Sequence, residues 1–423
     1  MRGYVDVSCA FPRKIVSRVK ALTENKSKPD AGKRPHLWWI DLLRGWAVLG
    51  VLLFHCRVDL WQGWKLVLNH PDQFGVFTRG VAFLAGPFSL GGSGVMLFFL
   101  VSGFCVHLPQ AGRGRTLNLA EYSVRRFFRI YPSYLAAVLL TLAVEYAIGV
   151  WSLKGDSGLR PAESRKALES LFMIQNYGSH PGQLEANPSL WSLPVEMELY
   201  LAYPLLFWMW RRFGRAVAFG VCGIVSGVAA MATVYGHANL INNFAAYWLI
   251  WSGGALLAEW KETEAVPKWR GRGGNWWLAG TLVAAGTAHL TGVPLIIEDY
   301  LWGGAFFLLI WRWLTAGSAP LRPPKLISTI FVRLGTVSYS LYLVHFPVFK
   351  LVGIFWVRQF GSKPANLLVT LVLSLSAFPI AWFLYKGLEE PSHRLARRLA
   401  RATKSFFPGT ARSNQPTPGA GVL

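Results

Sequence analysis

An all-helical, polytopic membrane protein of about ten transmembrane helices is the fold that this sequence predicts, and three observations predict it. Hydrophobic residues make up 53% of the 423 positions and charged residues only 15%, against about 25% charged in soluble domains. Ten apolar stretches are long enough, or nearly so, to cross a bilayer core: 37–56, 85–108, 127–150, 191–210, 216–236, 243–258, 275–291, 300–316, 334–356 and 366–386. About three quarters of the 43 Lys and Arg fall in alternate connecting segments, which puts both termini in the cytoplasm.

Residues 1–36 are polar and basic and read as a poorly ordered cytoplasmic tail before an uncleaved anchor, because no small-residue cleavage site follows. The segment 57–84 is amphipathic, with Trp61, Trp64, Leu66, Val67 and Leu68, and is expected to lie on the membrane surface. Small residues in Gly91-Gly92-Ser93-Gly94 and Ser102-Gly103 let helices approach closely. No strand precedes them and no Lys follows, so they are not a phosphate loop. His107 ends the second span and is expected at the interface. The outer loop 151–190 is polar and Gly/Pro-punctuated, with Asn176, His180, Glu185 and Asn187 on it. Residues 37–391 form the expected transmembrane domain. Residues 392–423 form a basic cytoplasmic tail (Arg394, Arg397, Arg398, Arg401, Lys404) expected against anionic headgroups, with no appended soluble domain.

The net charge of +22 lies between apolar spans rather than in one basic patch, which argues against a nucleic-acid partner. Cys9, Cys56, Cys105 and Cys222 show no CxxC spacing and no nearby His pair, so neither zinc nor a disulfide is expected.

Ionisable residues inside spans define the candidate site, because a charge in a membrane helix is costly and is rarely left facing lipid. The first span carries Asp41, Arg44 and His55. Asp41 and Arg44 are spaced i, i+3 and can meet on one face. His55 follows Arg44 by eleven residues, roughly 16 Å along a helix. At the start of the third span stands Arg125-Arg126-Phe127-Phe128-Arg129. Arg126 and Arg129 share one side, and paired guanidinium groups suit phosphate. Snorkelling anchors account for the same pair. Glu196 and Glu198 enter the fourth span at i, i+2 and point to different faces, so they are not an acid/base dyad. The ninth span holds Ser338, Tyr339, Ser340, Tyr342 and His345. Its hydroxyls suit helix packing, and His345 is a second intramembrane imidazole.

Taken in order, these segments resemble the acyltransferase-3 family of membrane O-acetylases acting on envelope glycans, Nod factors and some antibiotics. The resemblance covers about residues 37–391. It rests on Asp41-Arg44-Gly45-His55, on Phe98 to Phe104, on Arg126-Phe127-Phe128-Arg129, on Trp191-Ser192-Leu193 with Val195-Glu196 and Tyr200, and on Ser338 to Leu343 with His345 and Pro347. Pro194 and Met197-Glu198 depart from the usual pattern of the fourth span and weaken the carry-over to Glu196.

The resemblance implies a multi-pass protein of the bacterial cytoplasmic membrane that uses acyl-CoA, acetyl-CoA above all, and no metal. Its acceptor would be the hydroxyl of an extracytoplasmic carbohydrate or glycolipid such as lipopolysaccharide, or of a small secreted metabolite. Arg126 and Arg129, with Arg44, would hold the nucleotide end of the donor. His55 would act as general base or as the site of an acyl-imidazole, and Glu196 would orient or charge-balance its ring. Asp41, Ser338, Tyr339 and His345 would support the site. A secondary transporter is the alternative of another class. Against it, His55 and the arginine pair have no counterpart in the second half of the chain, where related broken helices are expected. An assembly module of an envelope complex would tolerate substitution of His55.

Overall fold

The computed structural model describes residues 37–406 except 113, 115, 153–163, 178–181, 237–239 and 316–323. The basic tail 1–36 and His180 therefore lie outside the described residues. Among the described residues every regular element is helical and none is a strand. Six stretches, Trp38–Asp59, Val76–Gln110, Leu119–Val150, Arg215–Val234, Lys325–Phe360 and Leu367–Ala402, are long and apolar enough to cross a membrane by length and composition.

In chain order the first helices are α1 (Trp38–Asp59), α2 (Trp64–Asn69), α3 (Val76–Leu84), α4 (Gly94–His107), α5 (Leu119–Ser152), α6 (Ser164–Leu171) and α7 (Ser192–Phe213). Beyond them come α8 (Arg215–Val234), α9 (Phe244–Glu262), α10 (Gly271–Thr291), α11 (Leu295–Thr315) and α12 (Lys325–Phe360), then α13 (Leu367–Ser374), α14 (Ala377–Leu384) and α15 (Glu390–Phe406). Their ends follow local chemistry. Asn118 Oδ1 accepts from the Glu121 amide to start α5, and Asn243 Oδ1 accepts from the Ala245 amide to start α9, each meeting a backbone donor that a helix start leaves unpaired. Gly361, at φ 78°, closes α12 in the left-handed conformation that glycine tolerates.

Close backbone approach fixes the arrangement around the site. A Cβ on Gly335 of α12 would overlap the Asp41 carbonyl of α1, and a Cβ on Gly254 of α9 would overlap the Leu100 carbonyl of α4. The same α1 and α12 meet again at His55 with His345 and at Asp59 with Lys350. α5 packs on α7, α12 and α15, while α8 and α11 pack on α9.

Two internal prolines leave carbonyls without their helical donor, since proline has no N–H. Pro204 frees the Tyr200 carbonyl, which accepts from the Tyr122 hydroxyl at 2.8 Å. Pro347 frees the Leu343 carbonyl, which accepts from Asn187 Nδ2 at 2.9 Å.

Several expectations change. The second span is not one α-helix. Residues Gly86–Ser93 form a 3-10 segment before α4, and Gly91 presses on the Gly50 carbonyl of α1, so the small residues do let helices approach. The segment 57–84 is tied into the protein at its buried residues, while Val76, Phe77, Phe83 and Leu84 remain exposed. Trp61 and Val67 are buried with Ala82, Ala85 and Leu367, and Trp61 Nε1 donates to the Ala365 carbonyl at 2.8 Å. His107 is buried at the end of α4, held between the Tyr203 hydroxyl and Glu259 at 3.1 Å each. At the other end, residues 392–406 continue a helix. α15 turns Ser392, Ala396 and Ala400 inward and packs along α5, because small residues every fourth position give it a close-packing face.

Candidate active site

α1, α4, α5, α7 and α12 surround a cavity. Arg44, Arg126, Arg129, Ser102, Glu196, Tyr200, Ser338 and Tyr339 all line it, together with Ser192 and Tyr342. Five separate sequence segments thus meet at one space, and all but three of the nine expected site residues face it. Of the exceptions, Asp41 pairs with Arg44 behind the wall, while His55 and His345 form a pair beside Tyr342, whose ring centroid lies 5.8 Å from that of His345.

Permanent positive charge collects at one end. Arg44 Nη1 lies 3.6 Å from Asp41 Oδ1, as the i, i+3 spacing predicts, and its Nη2 lies 3.6 Å from Cys105 Sγ. Arg129 Nη1 donates to Glu389 Oε1 at 3.2 Å and to His393 Nε2 at 3.1 Å, and its guanidinium sits over the Tyr339 ring. Arg126 lies over the rings of Tyr122 and Tyr200, contacts that suit a guanidinium. It makes no ion pair among the described residues, and its buried Nε has no hydrogen-bond partner. A second, more open pocket is bordered by the same two arginines and lined by Arg125, Arg126, Arg129, His393, Ala396 and Arg397. Arg126 and Arg129 are therefore the wall between an open basic pocket and an inner one.

The middle of the inner cavity is a carboxylate held by hydroxyls. Glu196 Oε1 accepts from Ser102 Oγ at 2.8 Å and from the Tyr200 hydroxyl at 2.6 Å. The structure does not pair Glu196 with His55, because Glu196 projects from α7 towards α4 while His55 faces α12. Glu198, two residues on, turns to another face as expected, and its Oε2 accepts from the Phe244 amide at 3.0 Å, beside the positive N-terminal end of α9.

At the far end the Tyr342 hydroxyl donates to the Ser189 carbonyl at 2.9 Å and lies 2.7 Å from Ser192 Oγ. His55 Nδ1 lies 2.8 Å from His345 Nε2 with the rings 20° from parallel. His345 is fully buried and His55 half-buried. Among the described residues no carboxylate pairs with His55. Asp59, one turn on, pairs with Lys350 at 2.6 Å instead. Ser338 Oγ donates to the Gly335 carbonyl of its own helix and the Tyr339 hydroxyl to the Ile130 carbonyl, each at 2.8 Å, so Tyr339 ties α12 to α5 while both line the cavity.

Glu389 is the site residue that the sequence reading missed. It is buried, bridges Arg129 and Ser340 Oγ (2.6 Å), and ends a π-helical turn, Tyr385–Glu389. Such turns often mark functional positions. The signal was present in Glu389-Glu390-Pro391, two acids and a proline just past an apolar span. No group of His, Cys, Asp and Glu suited to a metal ion occurs among the described residues.

Comparison with known proteins bears on this geometry. The family model described as an acyltransferase domain matches residues 37–386. "Nodulation protein 10" of Rhizobium leguminosarum bv. viciae is 26% identical over 86% of this chain and 96% of its own length. "Acyltransferase MdmB" of Streptomyces mycarofaciens is 27% identical over 76% of this chain and 86% of its own length. "O-acetyltransferase OatA" of Staphylococcus aureus is 22% identical over 83% of this chain, which spans only 56% of that longer protein. No solved structure matches. With the family model covering the helices that wall the cavity, the chain belongs to the acyltransferase-3 family and is a membrane acyltransferase.

Proposed function

We propose that this enzyme moves an acyl group, acetyl above all, from cytoplasmic acyl-CoA to a hydroxyl of an extracytoplasmic carbohydrate. It would do so as a ten-span protein of the bacterial cytoplasmic membrane with both termini inside. The observation that carries this reading is that α1 sets Arg44 in the cavity wall and His55 roughly 16 Å further along its axis, paired with His345 beside the lining residue Tyr342. A donor with an anionic head and a long arm suits that separation.

In this reading the phosphates of the donor occupy the open basic pocket, where Arg126 and Arg397 carry charge that no carboxylate among the described residues offsets. Guanidinium forks suit phosphate oxygens. The pantetheine arm passes Arg126 and Arg129 into the inner cavity, where Glu196 can accept from its amide N–H groups. The thioester then reaches the histidine end. His55 takes the proton of the acceptor hydroxyl as that oxygen attacks the thioester carbon. The tetrahedral intermediate collapses, the C–S bond breaks, and the proton passes from the imidazolium to the leaving thiolate to give CoA. In the two-step alternative the imidazole itself attacks first and carries the acyl group.

The test is transfer from isotope-labelled acetyl-CoA in membrane vesicles, wild type against His55→Ala, with label followed by mass spectrometry into glycans and small molecules. Labelled carbohydrate and released CoA in wild type alone are expected. Equal activity in both samples overturns the role of His55, and label only in a small metabolite moves the acceptor to that class. Label retained on His55 when acceptor is withheld would select the two-step route.

A further inference from the structure

We infer that His345 is a positioning residue that fixes the tautomer of His55 and so makes Nε2 the reacting nitrogen, an inference that rests on the proposed role of His55. The chain of donors starts at the backbone. His345 Nδ1 lies 2.7 Å from the Tyr342 carbonyl and 3.2 Å from the Leu341 carbonyl. Carbonyl oxygens only accept, so this nitrogen carries the hydrogen. A neutral imidazole has one N–H, which leaves His345 Nε2 with its lone pair. His55 Nδ1, 2.8 Å away, must then donate. In neutral His55 the lone pair is therefore on Nε2, the nitrogen turned away from the pair.

Packing holds both rings in this order. His345 is fully buried, with the rings of Tyr342, Phe346 and Phe349 at 5.6 to 5.8 Å. His55 is flanked by Phe346 at 4.5 Å and Phe54 at 5.0 Å. Turning over the His345 ring would set carbon against both the Tyr342 carbonyl and His55, losing two hydrogen bonds in a dry site. A protonated His345 would present N–H to His55 Nδ1, force the hydrogen of His55 onto Nε2, and remove the base. The pair is thus competent only when both rings are neutral.

The same contact helps most when it is needed. Once His55 holds the proton of the acceptor, its Nδ1–H donates from a cation, and a charge-assisted bond is shorter and about twice as strong as a neutral one. That strengthening is confined to the charged state, which is what lowers a barrier. A carboxylate performs this task in serine hydrolases. Here a neutral imidazole does it without adding a buried charge.

The experiment compares His345→Leu and His345→Gln in the full-length protein, measuring CoA release at saturating donor and acceptor. Leucine keeps bulk but offers no acceptor, whereas the glutamine side chain can place its amide oxygen near the position of Nε2. The expected result is a fall in kcat of about a hundredfold or more for leucine, with KM for both substrates within about threefold, and at least tenfold recovery for glutamine. Equal kcat for the two folded variants, or a leucine variant as fast as wild type, overturns the inference.

His55→Ala, assayed alongside, separates the two ideas. If it stays active, the role of His55 itself fails, whereas an inactive His55→Ala beside an active His345→Leu sinks only the positioning role. Nitrogen-15 spectra of histidine-labelled wild type give a readout that does not depend on variants folding. They should report His55 with hydrogen on Nδ1 and none on Nε2, and the opposite tautomer overturns the inference.

Discussion

Around Arg129 the fold supplies counter-charge: Glu389 at 3.2 Å, with Ser340 behind it and Asp41 beside the neighbouring Arg44. Around His55 it supplies a second imidazole at 2.8 Å, and no carboxylate among the described residues pairs with it. The difference teaches how one bundle can keep both a binding charge and a reacting base. A guanidinium is always charged, so it needs a partner wherever water is scarce. An imidazole can stay neutral until the reaction protonates it, and a permanent carboxylate there would hold it charged beforehand.

The comparison breaks first at His55. His55→Ala should reduce acyl transfer by about a thousandfold, within the range for loss of a general base, while leaving the arginine end intact. Retention of donor binding, read by photolabelling with an acyl-CoA analogue, would show the two ends to be separable. At the other end Glu389→Ala strands Arg129 beside a buried hole. Removing one partner of a buried pair costs about 3–5 kcal/mol. Arg129 keeps 29% side-chain exposure, so the lower end of that range applies, and thermal unfolding in detergent should register it. Glu389→Gln, which keeps the bond to Ser340, should lose less.

A finer test lies within the arginine end. Arg126 has no ion-pair partner among the described residues and a buried, unpaired Nε, so Arg126→Ala should raise KM for acyl-CoA by about tenfold, one lost charge-assisted contact, with little change in stability. Arg397→Ala, on the more exposed wall of the open pocket, should raise it by a smaller factor. An unchanged KM in both would detach the phosphates from this pocket. The smallest effect is expected at Glu198. Glu198→Gln can still accept from the Phe244 amide and gives up only part of the helix-end electrostatics, about 0.3–1 kcal/mol, with transfer unaltered. Loss of activity there would mean that the two glutamates of α7 act together after all.

Much of this site was legible in the chain because membrane helices make ionisable residues conspicuous. Arg44, Arg126, Arg129 and Glu196 could be picked out singly, but that Glu196 would share a cavity with the three arginines was not expected. Partnership was less legible. Glu196 was expected beside His55 and instead serves Ser102 and Tyr200, because a residue one turn into a helix gives no clue to which neighbour it faces. Glu389 escaped notice because it follows its apolar run, and the π-helical turn that carries it inward has no sequence signature. Nor did the end of a span reveal that His107 would be buried against Glu259 from another helix.

The sequence by itself determined the helical membrane class, the ionisable residues that the spans would have to shelter, and the i, i+3 meeting of Asp41 with Arg44, since each follows from periodicity and the cost of charge in apolar surroundings. Only the tertiary structure decided that His55 would face His345, that Arg129 would find Glu389, and that the C-terminal segment would dock on α5. Those pairings span 290 and 260 positions along the chain. They depend on helices brought into backbone contact at residues such as Gly335, and no local pattern encodes which helix will be the neighbour.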